Sequence, residues 1–210
     1  MPSDLTGYRS VLVFGGSFDP PHRAHVLLPQ QAAKAIGADV IAYIPAGRAP
    51  HKLDKVQTAP DHRLAMLRLA LADHPGGIPA LVVTDEIDRG PDQPSYTVDT
   101  LERLRANLDP GASMRLLIGA DQLRIFDQWR SPERIVALAE PLVMVRPPDT
   151  RESLLAGLPA DERDAWAKRL VDTESMDLSS TEVREAGGRS EMICDAVAEY
   201  IDSHDLYRDA

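Results

Sequence analysis

The chain has 210 residues, 43% of them apolar and 27% charged, with a formal net charge of −10. That length suits one domain with a buried core, and the acidic balance argues against a broad nucleic-acid or acidic-membrane surface, since both need clustered Lys and Arg. A single cysteine, Cys194, excludes an internal disulfide and fits a reducing compartment. No run approaches the ~20 apolar residues that span a bilayer, and residues 1–10 lack a signal-peptide core, so a cytoplasmic location is expected.

In chain order, residues 1–9 read as a flexible lead and Val11 to Phe14 as a first strand. Paired glycines and Pro20-Pro21 make a turn into a helix over about 24–36, closed by Gly37 as a C-cap. Pro29 is tolerable there only in the first turns. A second strand is expected at 39–44, a proline-bearing loop at 45–59 and a helix at 61–73, ended by Pro75-Gly76-Gly77. A third strand covers 80–84, and 85–95 reads as a polar surface loop whose last residue, Ser95, caps a helix carrying Val98, Leu101 and Leu104. The fourth strand is 114–118, followed by Gly119-Ala120-Asp121 and a short helix with Leu123 and Phe126.

Ser131-Pro132-Glu133 reads as a helix start: Ser as cap, Pro at the first position, an acid in the first turn. Residues 142–145 form a fifth strand, stopped by Pro147-Pro148; 151–170 hold one or two helices, and 171–176 a last short strand. A helix at 179–186, stopped by Gly187-Gly188, and another at 193–203 complete the chain. Strands alternating with helices predict an α/β fold: a single doubly wound Rossmann-like domain over 1–210, with a mainly parallel sheet and helices on both faces. No repeat or interdomain linker interrupts it. Ligands of such sheets lie beyond the C-terminal strand ends, near the switch point, where the first glycine turn, residues 119–121 and the stretch before Ser179 can converge.

Two stretches carry chemistry. In Gly15-Gly16-Ser17-Phe18-Asp19-Pro20-Pro21-His22-Arg23-Ala24-His25, a strand, a glycine turn and a helix start together make a phosphate cradle. His22 and His25 lie three apart, on one face of the first turn. With Asp19 they could alternatively ligate a metal, or they could be ordinary solvated residues. In Leu178-Ser179-Ser180-Thr181-Glu182-Val183-Arg184, Ser179 and Glu182 read as a capping box; a second phosphate-binding helix start, with Arg184 one turn on, is compatible with it. Arg23, Arg48, Lys52 and Arg184 are local cations able to hold phosphates in an acidic chain.

The first stretch resembles the G-G-x-F-D-P-x-H-x-G-H signature of nucleotidyltransferases, with Ala24 in place of the last glycine, and the second resembles their I-S-S-T-x-x-R element, with Leu178 for Ile. Ala49-Pro50-His51-Lys52, Pro94-Ser95-Tyr96-Thr97-Val98-Asp99-Thr100-Leu101, the run from Leu117-Ile118-Gly119-Ala120-Asp121 through Phe126 and Trp129, and the ending Tyr200-Ile201 to Tyr207 resemble bacterial nicotinate-mononucleotide adenylyltransferases. That resemblance implies transfer of AMP from ATP to nicotinate mononucleotide in NAD biosynthesis, giving nicotinate adenine dinucleotide and pyrophosphate by direct in-line attack. It assigns His22 and His25 to catalysis. Gly15, Gly16, Ser17, Phe18, Gly119, Asp121, Ser180, Thr181 and Arg184 fall to ATP, and Lys52, Thr97 and Trp129 to the mononucleotide. Mg2+ would be held mainly through ATP phosphates rather than by protein ligands. ATP and nicotinate mononucleotide are the implied partners, with no nucleic acid and no membrane, and the sequence leaves room for a homo-oligomer without specifying one. Alternatives of the same superfamily act on nicotinamide mononucleotide or phosphopantetheine; a nucleotide-binding regulator without catalysis is the alternative from another class.

Overall fold

A computed structural model describes residues 5–47, 57–74, 77–90, 94–145, 147–174, 176, 178–188 and 191–208. Its six strands are β1 (Ser10–Gly16), β2 (Val40–Pro45), β3 (Ala80–Val82), β4 (Ser113–Gly119), β5 (Glu140–Val145) and β6 (Leu170–Asp172). They form one sheet in the order β3-β2-β1-β4-β5-β6, with every neighbouring pair parallel. The order reverses between β1 and β4, which puts the switch point beside the glycine turn.

The central strands are apolar because both faces are covered. Within β1, Val11 and Val13 join the core on one side of the sheet, while Leu12 and Phe14 join the core on the other. The first side is closed by α4 (Thr97–Ala106) and α6 (Pro132–Leu138), through Leu101, Leu104 and Ile135. The second is closed by α1 (Arg23–Ile36), through Ala24, Leu28, Ala32 and Ala33, and by Leu67 of α2 (Pro60–Ala72). A third cluster joins α1 and α2 to α9 (Ser180–Glu185) and α10 (Asp195–Ser203), around Val26, Met66, Val183, Val197 and Ile201. The remaining helices are α3 (Asp85–Asp88), α5 (Ala120–Leu123), α7 (Arg151–Ala156) and α8 (Arg163–Ala167), with a 3-10 turn at Phe126–Gln128. Among the described residues no helix is long and apolar enough to cross a membrane.

Gly37 closes α1 in the left-handed conformation as its position predicts, whereas Pro29 lies in the second turn, where it costs one intrahelical bond. Four expectations are corrected. Residues 85–88 are a helical turn rather than surface loop, with Glu86 buried and its carboxylate accepting from Thr100 Oγ1 and the Gly47 N–H. Ser95 does not cap α4, whose N-cap is Tyr96; the serine is buried against Gly47, where a Cβ would stand 2.7 Å from its Oγ. Ser131 precedes Pro132 as expected but takes a left-handed conformation without a side-chain cap bond. Residues 5–9 are tied down: Leu5 is buried, the Gly7 N–H donates to Asp109, and the Arg9 N–H donates to Asp39. The loop expected at 45–59 and the turn at 75–77 fall largely outside the described residues.

Candidate active site at the switch point

The end of β1 turns tightly because of one ring. A Cβ on Gly16 would stand 2.9 Å from the Phe18 ring, so only glycine fits beneath it. Phe18 is itself buried in a left-handed conformation, φ 49°, and its ring meets Phe14 and His25 edge-on at 5.8 and 5.1 Å. Phe18 thus backs the His25 ring. Gly15 differs: it is exposed, and a Cβ there would find only the Ile44 carbonyl, at 4.0 Å. Among the described residues nothing requires that glycine, and the strand end there is open.

His22 is the N-cap of α1 and is buried, with its ring stacked on that of His25 at 3.7 Å between centroids. The His22 backbone N–H donates to His25 Nδ1 at 3.2 Å, so a neutral His25 carries its proton on Nε2. Ala24, which replaces the family glycine, is buried among Leu12, Phe14 and Leu28, so its methyl group is absorbed by the core.

Four remote segments hold this turn. Buried Arg63 of α2 donates to the carbonyls of Ser17 (2.8 Å), Ala46 (2.8 Å) and Thr58 (3.0 Å). Burial pulls its guanidinium below the usual arginine range, and the nearby Asp19, Tyr207 and Glu86 oppose that shift. The Asp19 carboxylate accepts the Tyr207 hydroxyl at 2.6 Å and the Thr58 N–H at 3.2 Å. From α9, Ser180 Oγ donates to the Pro20 carbonyl at 2.9 Å, and Arg184 Nη1 donates to the Asp19 carbonyl at 2.6 Å. Arg184 Nη2 also reaches Thr181 Oγ1 at 3.2 Å, while Ser179 and Glu182 make the expected capping box. The two chemical stretches are therefore directly hydrogen-bonded to one another. Among the described residues no three metal-ligating side chains gather, and the Asp19 oxygens are taken as stated, so the geometry does not build the Asp19-His22-His25 metal set.

Past β4, Gly119 is the N-cap of α5, and a Cβ there would lie 2.5 Å from Asp121 Oδ1. Asp121 is exposed and accepts from Gln122 at 2.8 Å. Thr97 opens α4, and Trp129 packs on Phe126 at 5.4 Å; both are half-buried. The two meet in one corner because the Arg130 guanidinium lies 4.6 Å over the Tyr96 ring, next to Trp129 and Thr97 respectively. Lys52, with its neighbours Arg48, Ala49, Pro50 and His51, lies outside the described residues.

Sequence reasoning missed Arg63 and Glu86, and it placed Tyr207 in the family-like ending without a role at the site. Glu86 is buried, accepting from Thr100 Oγ1 at 2.9 Å and from the Gly47 N–H at 3.2 Å. It ties the segment after β2 to α4. Burial pushes its carboxyl up, and the two hydrogen bonds counter that.

A doubly wound sheet whose switch point carries this turn, paired histidines and a wired second helix is the arrangement that the nucleotidyltransferase resemblance implies. A family model described as Cytidylyltransferase-like matches residues 13–186. A protein of Roseiflexus sp. described as a probable nicotinate-nucleotide adenylyltransferase is 38% identical over 205 residues, covering 93% of this chain and 96% of its own. One from Pseudomonas entomophila, described likewise, is 34% identical over 222 residues, covering 98% of each. The chain belongs to the nicotinate-nucleotide adenylyltransferase family. Its fold matches a nicotinic acid mononucleotide adenylyltransferase of Plasmodium falciparum in complex with NaAD, with TM-score 0.71 and 19% identity, over 95% of this chain and 97% of that one.

Proposed function

We propose that the protein is a cytoplasmic enzyme that transfers AMP from ATP to nicotinate mononucleotide, giving nicotinate adenine dinucleotide and pyrophosphate in NAD biosynthesis. The observation that carries this reading is the pair of hydrogen bonds from Ser180 and Arg184 to the carbonyls of Pro20 and Asp19, which make one site of the two phosphate-type stretches at the switch point.

A phosphate oxygen of the mononucleotide attacks the α-phosphorus of ATP in line, the bond to the pyrophosphate oxygen breaks, and pyrophosphate leaves. The attacking oxygen is already anionic, so no general base is needed; the protein must hold two repelling anions together and stabilise charge on the leaving group. In this reading His22 and His25 donate to the ATP phosphates and the transferring phosphoryl group. The proton on His25 Nε2 suits that task, since Nδ1 is occupied by the His22 N–H. The open end at Gly15 and the backbone of Gly16, Ser17 and Phe18 cradle phosphate oxygens. Ser180, Thr181 and Arg184 take the β- and γ-phosphates, and Gly119 and Asp121 the ribose. Thr97 meets the nicotinate carboxylate, Trp129 stacks on the pyridine ring, and Lys52 meets the mononucleotide phosphate.

Mg2+ would be bound mainly through the ATP phosphates and water, where the ion would neutralise charge on the triphosphate. With ATP, Mg2+ and nicotinate mononucleotide, pyrophosphate and the dinucleotide should form in equal amounts. Release with phosphopantetheine and none with the mononucleotide would contradict the reading.

A further inference from the structure

The described chain ends in a turn, residues 204–208, that crosses back from α10 to the glycine turn. Two of its residues, Asp205 and Tyr207, hold left-handed conformations, φ 54° and 62°. A bulky residue with positive φ is uncommon and persists only where its surroundings over-determine it. For Tyr207 those surroundings are the packing of its ring against the α1–α2–α9–α10 cluster and a 2.6 Å bond from its hydroxyl to Asp19 Oδ1, 188 residues away. Short O–H···O contacts to a carboxylate belong to the strong class of hydrogen bonds. The same aspartate takes the Thr58 N–H on its other oxygen and Arg184 on its carbonyl. The 204–208 turn and Thr58 together therefore hold the Asp19 carboxylate, next to the carbonyl that Arg184 binds and the entry into His22.

Tyr200, one element earlier, is a contrast. Its hydroxyl meets His62 Nδ1 at 2.9 Å, and its ring stacks on His204 at 4.0 Å. That bond joins α10 to α2 and touches nothing in the glycine turn.

We propose that Tyr207 is a positioning residue for adenylyl transfer: its hydroxyl, through Asp19, holds the 17–20 turn and Arg184 in the arrangement that receives the triphosphate. This rests on the function proposed above. The Tyr207 hydroxyl does not touch substrate; it removes freedom from a backbone that must meet phosphate oxygens to within fractions of an ångström.

The test compares Tyr207→Phe, which keeps the ring and removes one hydroxyl, with Tyr200→Phe and the unaltered protein. The expected result for Tyr207→Phe is a kcat/KM for ATP lower by about tenfold, the scale of one strong hydrogen bond. The KM for nicotinate mononucleotide should stay within about twofold, and Tyr200→Phe should leave both unchanged. Amide hydrogen exchange should quicken in residues 17–22 of Tyr207→Phe only. The proposal is overturned if Tyr207→Phe keeps its ATP kcat/KM, if it loses on both substrates alike together with thermal stability, if it fails to fold, or if Tyr200→Phe loses as much. Should the unaltered protein release no pyrophosphate, the functional reading fails, and exchange alone decides this one: faster exchange in 17–22 upholds the clamp, and equal exchange overturns it.

Discussion

Around residues 17–20, where the phosphates are proposed to bind, side chains from α2, α9 and the C-terminal turn grip a largely buried backbone by its carbonyls and by Asp19. Around Thr97 and Trp129 the surface is made of side chains on helix ends, and one buried carboxylate, Glu86, fastens the neighbouring segments. Reacting phosphates need several donors aimed at once, and a turn wired from many sides can hold them without rearranging. Recognition of a pyridine ring needs a stacking plane and one or two polar groups, which side chains supply with fewer supports. Damage to the first corner should therefore be severe even at residues that never meet substrate, while damage to the second should fall on one substrate.

The largest effect should come from Arg63→Met. It leaves the carbonyls of Ser17, Ala46 and Thr58 without their charged donor and should lower stability by about 3 kcal/mol or more in urea unfolding. A loss below about 1 kcal/mol would break the claim that the turn is held by its wiring. Next comes His22→Ala, which should cut turnover by roughly 10²-fold, the scale of losing one electrostatic donor. Near-normal turnover in a correctly folded variant removes His22 from the chemistry. In the second corner, Trp129→Ala should raise the mononucleotide KM by about tenfold and leave the ATP KM alone, as expected for the loss of one aromatic stack. A rise in the ATP KM instead would erase the division between the two corners.

The smallest effect concerns pH. Burial raises the folded-state carboxyl of Glu86 above its ordinary value of 4.5, so the native state holds this proton more tightly than the unfolded state does. Stability from this group is therefore full below 4.5 and declines as pH rises through the raised folded value. Glu86→Gln should flatten that decline in thermal melts run from pH 4 to 7. Parallel curves for the two proteins would mean that the carboxyl is not perturbed in the native state.

These corners also differ in how far they can be read from sequence. The glycine turn, the helix over 23–36 and the Ser179–Glu182 box are legible because each is a contiguous pattern whose partners lie within a few residues. A mainly parallel sheet is legible for the same reason, from short apolar runs alternating with helical periodicity. Arg63 and Glu86 carry no such mark, and Tyr207 is marked only as part of the family-like ending. The place of a polar side chain is decided by all its partners together, and here each set includes one far along the chain, 46, 39 and 188 residues away. Ser95 shows the same limit from the other side. Its local pattern predicts a helix cap, yet it packs against Gly47 instead.

The most direct test of the account is the initial rate of pyrophosphate release by purified protein with ATP and Mg2+, comparing nicotinate mononucleotide with its amide. The account predicts release with the acid and a clear preference for it over the amide, set in the corner that holds Thr97 and Trp129. Release with neither mononucleotide, or a preference for the amide, would contradict it.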